Sequence, residues 1–286
     1  MDPAIARRMH EVTGPVHGFV YFAPEAAEEY AALGVEGMAG YFASRAAAMG
    51  PVGPEMVVAT FFNFCPDVVA AALPAAWAKA DAADLQRARW RAAGRVLDRV
   101  ASDVLAGDDL DEAVGLAARV CDGVGYEGKP LAAANRAQPL PDEPLVRLWQ
   151  LVTTIREWRG DAHIAVLQAA SVDAVEALVL HAATGTVSEK VLKATRAWPD
   201  EAWQRAVVRL AERGLVDDTG AFTDAGRAFR ADIEDRTDAT SLPLWEAIGD
   251  ESTARLDELL APVARALVAS GAFGRARRRT DDSSTD

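Results

Sequence analysis

The sequence lacks the material that several classes of protein require. Of its 286 residues only Cys65 and Cys121 are cysteines, too few for a disulfide framework or a cysteine-based metal site. No apolar run approaches the roughly 20 residues of a membrane-spanning helix. Arg7 and Arg8 are not followed by the apolar stretch of a signal peptide. We therefore expect a cytoplasmic protein, with no membrane partner, whose cysteines are reduced and buried.

Basic residues are also scarce. Lys and Arg total 30 against 43 Asp and Glu, so the formal net charge is −13. Proteins that bind DNA through its phosphates need a basic face, which this balance makes less available without forbidding it. Residues 274–286 hold four of the arginines and almost no apolar residue, so they are predicted to form a disordered tail.

The usual motifs of catalysis and cofactor binding are absent from the sequence. It has no phosphate-binding loop, no nucleophile elbow and no glycine-rich turn after a strand. Its four histidines include no pair at the i, i+4 spacing of a helical metal site: His10, His17, His163 and His181. We predict no metal site. The motifs of the sequence indicate neither a cofactor nor a reaction class, so both are unknown at this point.

Helix-forming residues dominate the chain, and glycine and proline punctuate it, which predicts a mainly α fold. Apolar residues make up 50% of the sequence, enough for a large core. We expect an N-terminal helical module over 1–124 and a C-terminal module over 145–273. Between them, residues 125–144 are rich in Gly, Pro, Asn and Gln and are predicted to be a linker or lid.

Two segments of the sequence match each other at nearly fixed spacing. In each, a helix is followed by a Gly turn, a short helix, a Pro-Asp turn and another helix, the skeleton of a helix-turn-helix. The matched residues are Gly50, Val52, Thr60 and Pro66-Asp67 in the first copy, and Gly185, Val187, Thr195 and Pro199-Asp200 in the second. The alternative is a chance similarity among Ala-rich helices. A duplication predicts two related helix-turn-helix-like modules with a cleft between them.

The second copy continues into a distinctive segment. Trp203 to Arg213 is followed by Gly214-Leu215-Val216, then by Gly220, Phe222-Thr223 and Ala225-Gly226. Residues 172–235 thereby resemble the winged helix of MarR-like regulators, and residues 158–163 and 176–185 resemble an uncharacterised actinobacterial family. The resemblance implies a small β-wing and a DNA-binding transcriptional regulator. Arginine in excess of lysine and abundant alanine are typical of actinobacterial coding bias.

The sequence departs from DNA-binding winged helices at the expected contact positions. The wing contains Asp217-Asp218, which would repel phosphate. The expected recognition helix offers Arg205 and Arg209 but also Glu201 and Glu212. DNA binding therefore stays an alternative rather than the leading hypothesis.

A polar cluster is predicted at a helix break around Gly160. Arg159 is suited to bidentate binding of a carboxylate or phosphate. Asp161 is expected to cap the following helix, and the alternative is an Asp161–His163 acid–base pair that would make the protein an enzyme.

The leading hypothesis is a protein that binds a small organic ligand between its two modules. Arg45 and His181 occupy matching positions of the repeat, which suggests that they face a shared cavity, and aromatic residues of the first module are suited to line it. A homodimer through the last helix is an additional expectation. The predicted ligand-binding residues are Arg45, Arg159, Asp161, His163, His181, His17, Tyr41 and Phe61.

Overall fold

The computed structural model describes residues 1–273, and the predicted disordered tail lies outside the described residues. The first helices are α1 Ala4–Gly18, α2 Pro24–Ala31, α3 Gly37–Ala46, α4 Pro54–Phe61, α5 Pro66–Trp77, α6 Ala82–Val100, α7 Gly107–Asp122 and α8 Pro130–Arg136. The remaining helices are α9 Pro144–Ala169, α10 Ala174–Ala183, α11 Glu189–Arg196, α12 Asp200–Glu212, α13 Asp224–Ser241, α14 Pro243–Glu246 and α15 Gly249–Ala269. Short 3-10 turns, Phe19–Tyr21 and Ala47–Met49, follow α1 and α3. The predicted mainly α fold is confirmed.

Local sequence signals begin and end many of these helices. Pro54 and Pro66 occupy the first positions of α4 and α5, where the missing backbone N–H has no intrahelical partner in any case. Asp173 and Glu176 form a capping box at the start of α10, because each side chain accepts a hydrogen bond from a backbone N–H of the other end of the turn. These signals explain why the helix boundaries follow the punctuation of the sequence.

The buried apolar residues form two clusters. The larger draws on residues 6–162 and 244–272, and the smaller draws on residues 166–233. Helix α9 contributes to both, so it connects them as a single rigid element. Residues 125–144 contain α8, whose Leu131 and Ala132 are buried against α9. The division of the chain into domains stays a prediction. The larger cluster extends beyond the predicted N-terminal module, 1–124, because it also includes residues of α9 and of the last helices.

The helix break predicted at Gly160 is wrong, because α9 runs without interruption from Pro144 to Ala169. Glycine inside a helix costs only about 1 kcal/mol relative to alanine. Its neighbours Trp158 and Ala162 are buried on α9. Burying a large apolar side chain contributes roughly 1.5–3 kcal/mol, which is enough to hold the helix straight across the glycine.

Helices α3–α5 and α10–α12 correspond in length. The first triad has 10, 8 and 12 residues, and the second has 10, 8 and 13. Gly50 and Gly185 both adopt positive φ, of 82° and 77°, at the turn after the first helix of each triad. The two segments that match in sequence therefore fold into the same order of helices with the same kind of turn.

The predicted β-wing is wrong. In residues 1–273 the segment after α12 forms only an isolated antiparallel bridge between Val216 and Phe222. The Asp217 carboxylate accepts hydrogen bonds from Thr219 and from the Ala221 N–H, closing a tight loop. The Thr223 hydroxyl then accepts from the backbone of the first turn of α13. Because α13 starts at Asp224, only two residues after Phe222, the Val216–Phe222 bridge is not extended by a second pair of bridged residues.

No single helix within residues 1–273 is long and apolar enough to cross a membrane. The bent pair α9 and α10, at 101° to each other, meets the length and composition criteria only when the two are taken together.

Candidate functional site

The two helix-turn-helix turns lie against each other. The first turn, Phe62–Cys65, connects α4 to α5. The second, Ala197–Pro199, follows Arg196, the last residue of α11, and leads into α12. We call their contact the turn junction. The Cys65 N–H donates to the Arg196 carbonyl at 2.9 Å, and the Trp198 indole N–H donates to the Asn63 carbonyl at 3.0 Å. Phe62 also packs on the smaller apolar cluster. Each turn therefore satisfies polar groups of the other.

Two arginines flank the turn junction on aromatic rings. The guanidinium carbon of Arg45, on α3, lies 4.1 Å from the centre of the Phe61 ring. The guanidinium carbon of Arg196 lies 4.5 Å from the centre of the Phe64 ring, and its Nε donates to the Asn63 side chain at 3.2 Å. Burial, together with the positive charge of Arg45, lowers the pKa of Arg196. Arg196 is thus a cation that pairs with no carboxylate of residues 1–273.

Glu157, on α9, is the carboxylate of this region. Its side chain is 2% exposed, and it accepts from Arg45 Nε at 3.3 Å, Arg45 Nη2 at 3.2 Å and Arg156 Nη1 at 2.9 Å. Burial alone would raise the pKa of Glu157, but Arg45, Arg156 and His17 hold it well below its ordinary value. Glu157 is therefore ionised at neutral pH.

Tyr21 connects Glu157 to two further buried groups. Its hydroxyl lies 3.0 Å from His17 Nε2, accepts from Arg89 Nη2 at 3.0 Å, and lies 3.5 Å from the Glu157 carboxylate. His17 Nδ1 is 3.0 Å from the Thr153 hydroxyl. Burial raises the pKa of Tyr21 to about 12 and lowers the pKa of His17 well below its usual value. Both groups are consequently neutral at neutral pH.

Positive charge exceeds negative charge in this polar network. Arg89 is 1% exposed and stacks over Trp149, with 5.1 Å between the guanidinium carbon and the ring centre. Within residues 1–273, neither Arg89 nor Arg196 forms an ion pair with a carboxylate. Glu157 pairs with Arg45 and Arg156, while Arg89 bonds Tyr21 and Arg196 bonds Asn63, so the cations of this region outnumber its carboxylate, and an excess of positive charge attracts anions. We call this set, with Tyr21 and Tyr41, the arginine network.

Four of the predicted ligand-binding residues come together in or beside this network. Arg45 donates to the Tyr41 hydroxyl at 3.3 Å and stacks on Phe61, while His17 reaches Glu157 with Nε2 at 3.7 Å. Arg45 is 12% exposed and Arg156 is 32% exposed at the side chain, so solvent reaches the network from their side.

Arg159 and His163 lie apart from it, towards α13, whereas His181 is near enough to both Arg230 of α13 and Arg196 for each of them to lower its pKa. Arg159 pairs with Asp238 at 3.0 Å and Glu234 at 3.3 Å, and His163 Nδ1 lies 2.9 Å from the Thr237 hydroxyl. Burial lowers the pKa of His163 to about 4 and also lowers the pKa of His181.

Open surface grooves are found beside this second group. Two of them, of about 560 and 430 Å³, share Arg7 in their lining and extend along α13. Because Arg7 pairs with Asp235 and Asp238, its charge is already compensated at the grooves.

Asp161 has a different role from the predicted one. Its carboxylate accepts from the backbone N–H groups of Leu131 at 3.1 Å and Ala132 at 3.0 Å, so it caps α8 rather than the helix that follows it. Burial raises the pKa of Asp161 to about 6. His163 Nδ1 bonds the Thr237 hydroxyl, and within residues 1–273 no hydrogen bond joins His163 to Asp161, so the alternative of an Asp161–His163 acid–base pair stays a prediction without support from their contacts.

Arg89 and Arg196 were missed by reasoning from the sequence. Arg89 occupies an otherwise apolar face of α6, between Leu85 and Ala92, and a charged residue at such a position is a usable signal of a buried polar site. Arg196 precedes a turn, and nothing in its local sequence indicates that another turn covers it.

The exposed face of α12 is not basic. The residues on it are Asp200, Glu201, Gln204, Arg205, Val208 and Glu212. Arg209 is engaged by Asp173 and Glu176, and Lys193 of α11 pairs with Glu189 and Asp200. Gln204 and Arg205 are the amide and basic side chains that this face offers for reading base edges, and they lie among three carboxylates.

Within residues 1–273, no three His, Cys, Asp or Glu side chains lie close enough together to hold a metal ion. In comparisons with known proteins, the pattern of a helix-turn-helix family matches residues 6–274. No curated protein and no solved structure matches the chain. The match covers nearly the whole length of the chain.

Proposed function

The chain belongs to this helix-turn-helix family, and from the arginine network we propose that it binds a small organic anion at the turn junction. The ligand carries a carboxylate or phosphoryl group. Arg45, Arg196 and Tyr41 provide the polar contacts, and Phe61 and Phe64 provide the apolar surroundings.

We also propose that α3–α5 and α10–α12 arose by duplication. Their equal helix order, the positive φ of Gly50 and Gly185, and the mutual contact of their turns support this origin. Two copies that pack turn to turn resemble a dimer within one chain, and ligand sites commonly form where two such units meet.

The observation that carries the proposal is the excess of guanidinium groups. Burying a cation without a partner costs several kcal/mol, and hydrogen bonds to an anion offset that cost. Only Nε of Arg196 is hydrogen-bonded to a described residue, to Asn63. Its two terminal amino groups are left to donate to a ligand, in the paired geometry that suits a carboxylate or phosphate.

A titration of the purified full-length chain tests this proposal. Benzoate and inorganic phosphate are added at millimolar concentration, and binding is measured by calorimetry and by thermal stabilisation. We expect at least one of them to bind, and Arg196→Gln to weaken binding by about tenfold, the loss of one charge-assisted hydrogen bond.

Arg91→Gln is the matched control for that titration. Unlike Arg196, Arg91 is half-exposed on α6 and pairs with Glu29 on the surface. Its replacement should leave binding unchanged. Absence of binding by both anions to the folded wild-type protein would end the proposal.

DNA is the second candidate partner, because membership of a helix-turn-helix family is compatible with it. A gel shift at low salt with random duplex DNA tests this role. Binding that weakens steeply with added salt would favour DNA over the small anion, since phosphate contacts release counterions. The MarR-like relationship, the actinobacterial origin, the cytoplasmic location and the homodimer are separate from this proposal and stay predictions.

A further inference from the structure

The buried face of the second half of α13 is polar. Beyond Ile233, the buried residues of this helix are Thr237, Asp238 and Ser241, and the next buried apolar residue along the chain is Leu244. Because residues 234–243 include no buried apolar residue, the attachment of this half of α13 depends on charges and hydrogen bonds.

Helices α1 and α9 hold this half of α13 in place. The Asp238 carboxylate, 4% exposed at the side chain, accepts from Arg7 Nε at 2.6 Å and from Arg159 Nη2 at 3.0 Å. His163 Nδ1 lies 2.9 Å from the Thr237 hydroxyl. Since that hydroxyl donates to a backbone carbonyl of α13 at 2.7 Å, it accepts from His163, whose Nδ1 carries a proton. We call these contacts the α13 clamp.

Three of the four histidines lie around the α13 clamp. His10 belongs to α1, His163 to α9 and His181 to α10. Burial lowers the pKa of all three, and the Glu234 carboxylate of α13 is close enough to oppose that shift in each of them. Within residues 1–273, the buried Nδ1 of His10 has no hydrogen-bond partner. The fold thus gathers histidines that are far apart in the sequence.

Guanidinium groups outnumber carboxylates beside these histidines. A protonated His163 would also oppose the protonation of His10. A proton added at the clamp would therefore meet mainly positive charge. The cations that, in addition to burial, lower the pKa of one or more of the three histidines are Arg156 and Arg159 of α9, Arg230 of α13 and Arg196 of α11.

Both His10 and His163 are neutral while the α13 clamp is closed. Burial, the largest cause, lowers the pKa of His10 to about 3 and that of His163 to about 4. A histidine that reaches solvent has an ordinary pKa of about 6.5. Opening of the clamp therefore takes up protons below about pH 6.5, so acid favours the open state and the closed state is favoured above that pH.

We propose that the α13 clamp is an acid-sensitive switch, in which protonation of His10 and His163 releases the second half of α13 from α1 and α9. The larger apolar cluster contains no residue of α13, so it keeps its packing when this helix is released. The clamp lies apart from the arginine network, and the inference is independent of the proposed function.

Hydrogen–deuterium exchange of the full-length chain at pH 7.5 and pH 5.5 tests this switch. Exchange is measured in peptides of α13 and of α6 and corrected for its intrinsic dependence on pH, so that each peptide gives an opening constant. At pH 5.5 an accessible histidine is protonated about ten times more often than it is neutral. Because His10 and His163 each contribute such a factor, we expect the opening constant of α13 to rise at least about hundredfold, while α6 stays protected.

Glutamine variants test whether these histidines are the sensors, because glutamine keeps a hydrogen-bonding side chain but does not titrate. His10→Gln and His163→Gln should each lower the acid response of α13 about tenfold, and the double variant about hundredfold. His17→Gln is the matched control. His17 is also buried, but it bonds Thr153 and Tyr21 instead of α13, so its replacement should leave the response unchanged.

Three results would overturn the inference. In the first, α13 is as well protected at pH 5.5 as at pH 7.5. In the second, α13 and α6 lose protection together, which is global unfolding by acid. In the third, the double variant opens as much as the wild type. The first two results are measured on the wild-type chain, so they stand even if a variant fails to fold.

Discussion

Replacing Glu157 with glutamine tests whether the arginine network depends on a single carboxylate. Glutamine keeps the size of the side chain but removes its negative charge, so Arg45 and Arg156 lose their common partner. Breaking a buried ion pair by removing one member costs about 3–5 kcal/mol. At about 2.1 cal/mol/K of unfolding entropy per residue, a chain of 286 residues loses about 1.7 °C per kcal/mol, so the melting temperature should fall by roughly 5–8 °C.

The pH dependence of this loss has a definite sign. The folded pKa of Glu157 is held well below its ordinary value of about 4.3, so the ionised carboxylate stabilises the folded state above that pH. The stabilisation is lost as the pH falls towards the folded pKa. The difference between wild type and Glu157→Gln should therefore be constant from neutral pH to about pH 5 and should shrink in stronger acid.

Thermal unfolding gives the melting temperature, and urea unfolding at each pH gives the free energy of unfolding, both followed by circular dichroism. Glu28→Gln is the control. Glu28 pairs with Arg95 on the surface and is 61% exposed, so its replacement should cost less than about 1 kcal/mol. If Glu157→Gln were as mild as Glu28→Gln at pH 7, Glu157 would not be holding the network together, and the reasoning would be refuted.

Two further predictions concern the titration of one buried carboxyl group and the packing around one glycine. Burial raises the pKa of Asp161 to about 6, so this group stabilises the folded state when protonated, and the stabilisation disappears as the pH rises from about 4 through about 6. Asp161→Asn should flatten the urea midpoint over that range, and an unaltered pH profile would contradict the assignment. A Cβ atom on Gly226 would lie 1.8 Å from a backbone carbonyl oxygen, so Gly226→Ala should cost about 3 kcal/mol or more. Gly115→Ala, which meets open space on α7, should be neutral or stabilising by up to about 1 kcal/mol, and equal effects of the two changes would contradict the packing argument.

Much of the fold could be predicted because its signals are local. Proline and glycine mark the limits of α4 and α5, and the fixed spacing of the repeat predicted two triads of the same helix order. The wing could not be predicted in the same way. Whether two short segments form a ladder depends on how soon the next helix starts, and here Thr223 caps α13 at once.

The candidate site was predicted in part, because the direction of a side chain depends on the continuity of its helix. With a break at Gly160, Arg159 and His163 would turn towards the same cavity as Arg45. In a continuous α9 they lie four residues apart on one face, towards α13, while Glu157 faces the arginine network. The same continuity explains why Asp161 reaches α8 instead of His163.

The turn junction also bears on why a helix-turn-helix pair would bind a small anion instead of DNA. The start of a recognition helix is the part that contacts base edges, and here it follows Trp198, which is bonded to Asn63 of the other unit. Three hydrogen bonds join the turns, worth about 0.5–1.5 kcal/mol each, so separating the units by this contact alone would cost roughly 2–4 kcal/mol. The face of α12 is already exposed without separating the units, but DNA would have to approach the carboxylates of Asp200 and Glu201 on it. The small anion that we propose would not approach that face, and it would compensate guanidinium groups beside the junction, Arg45 and Arg196.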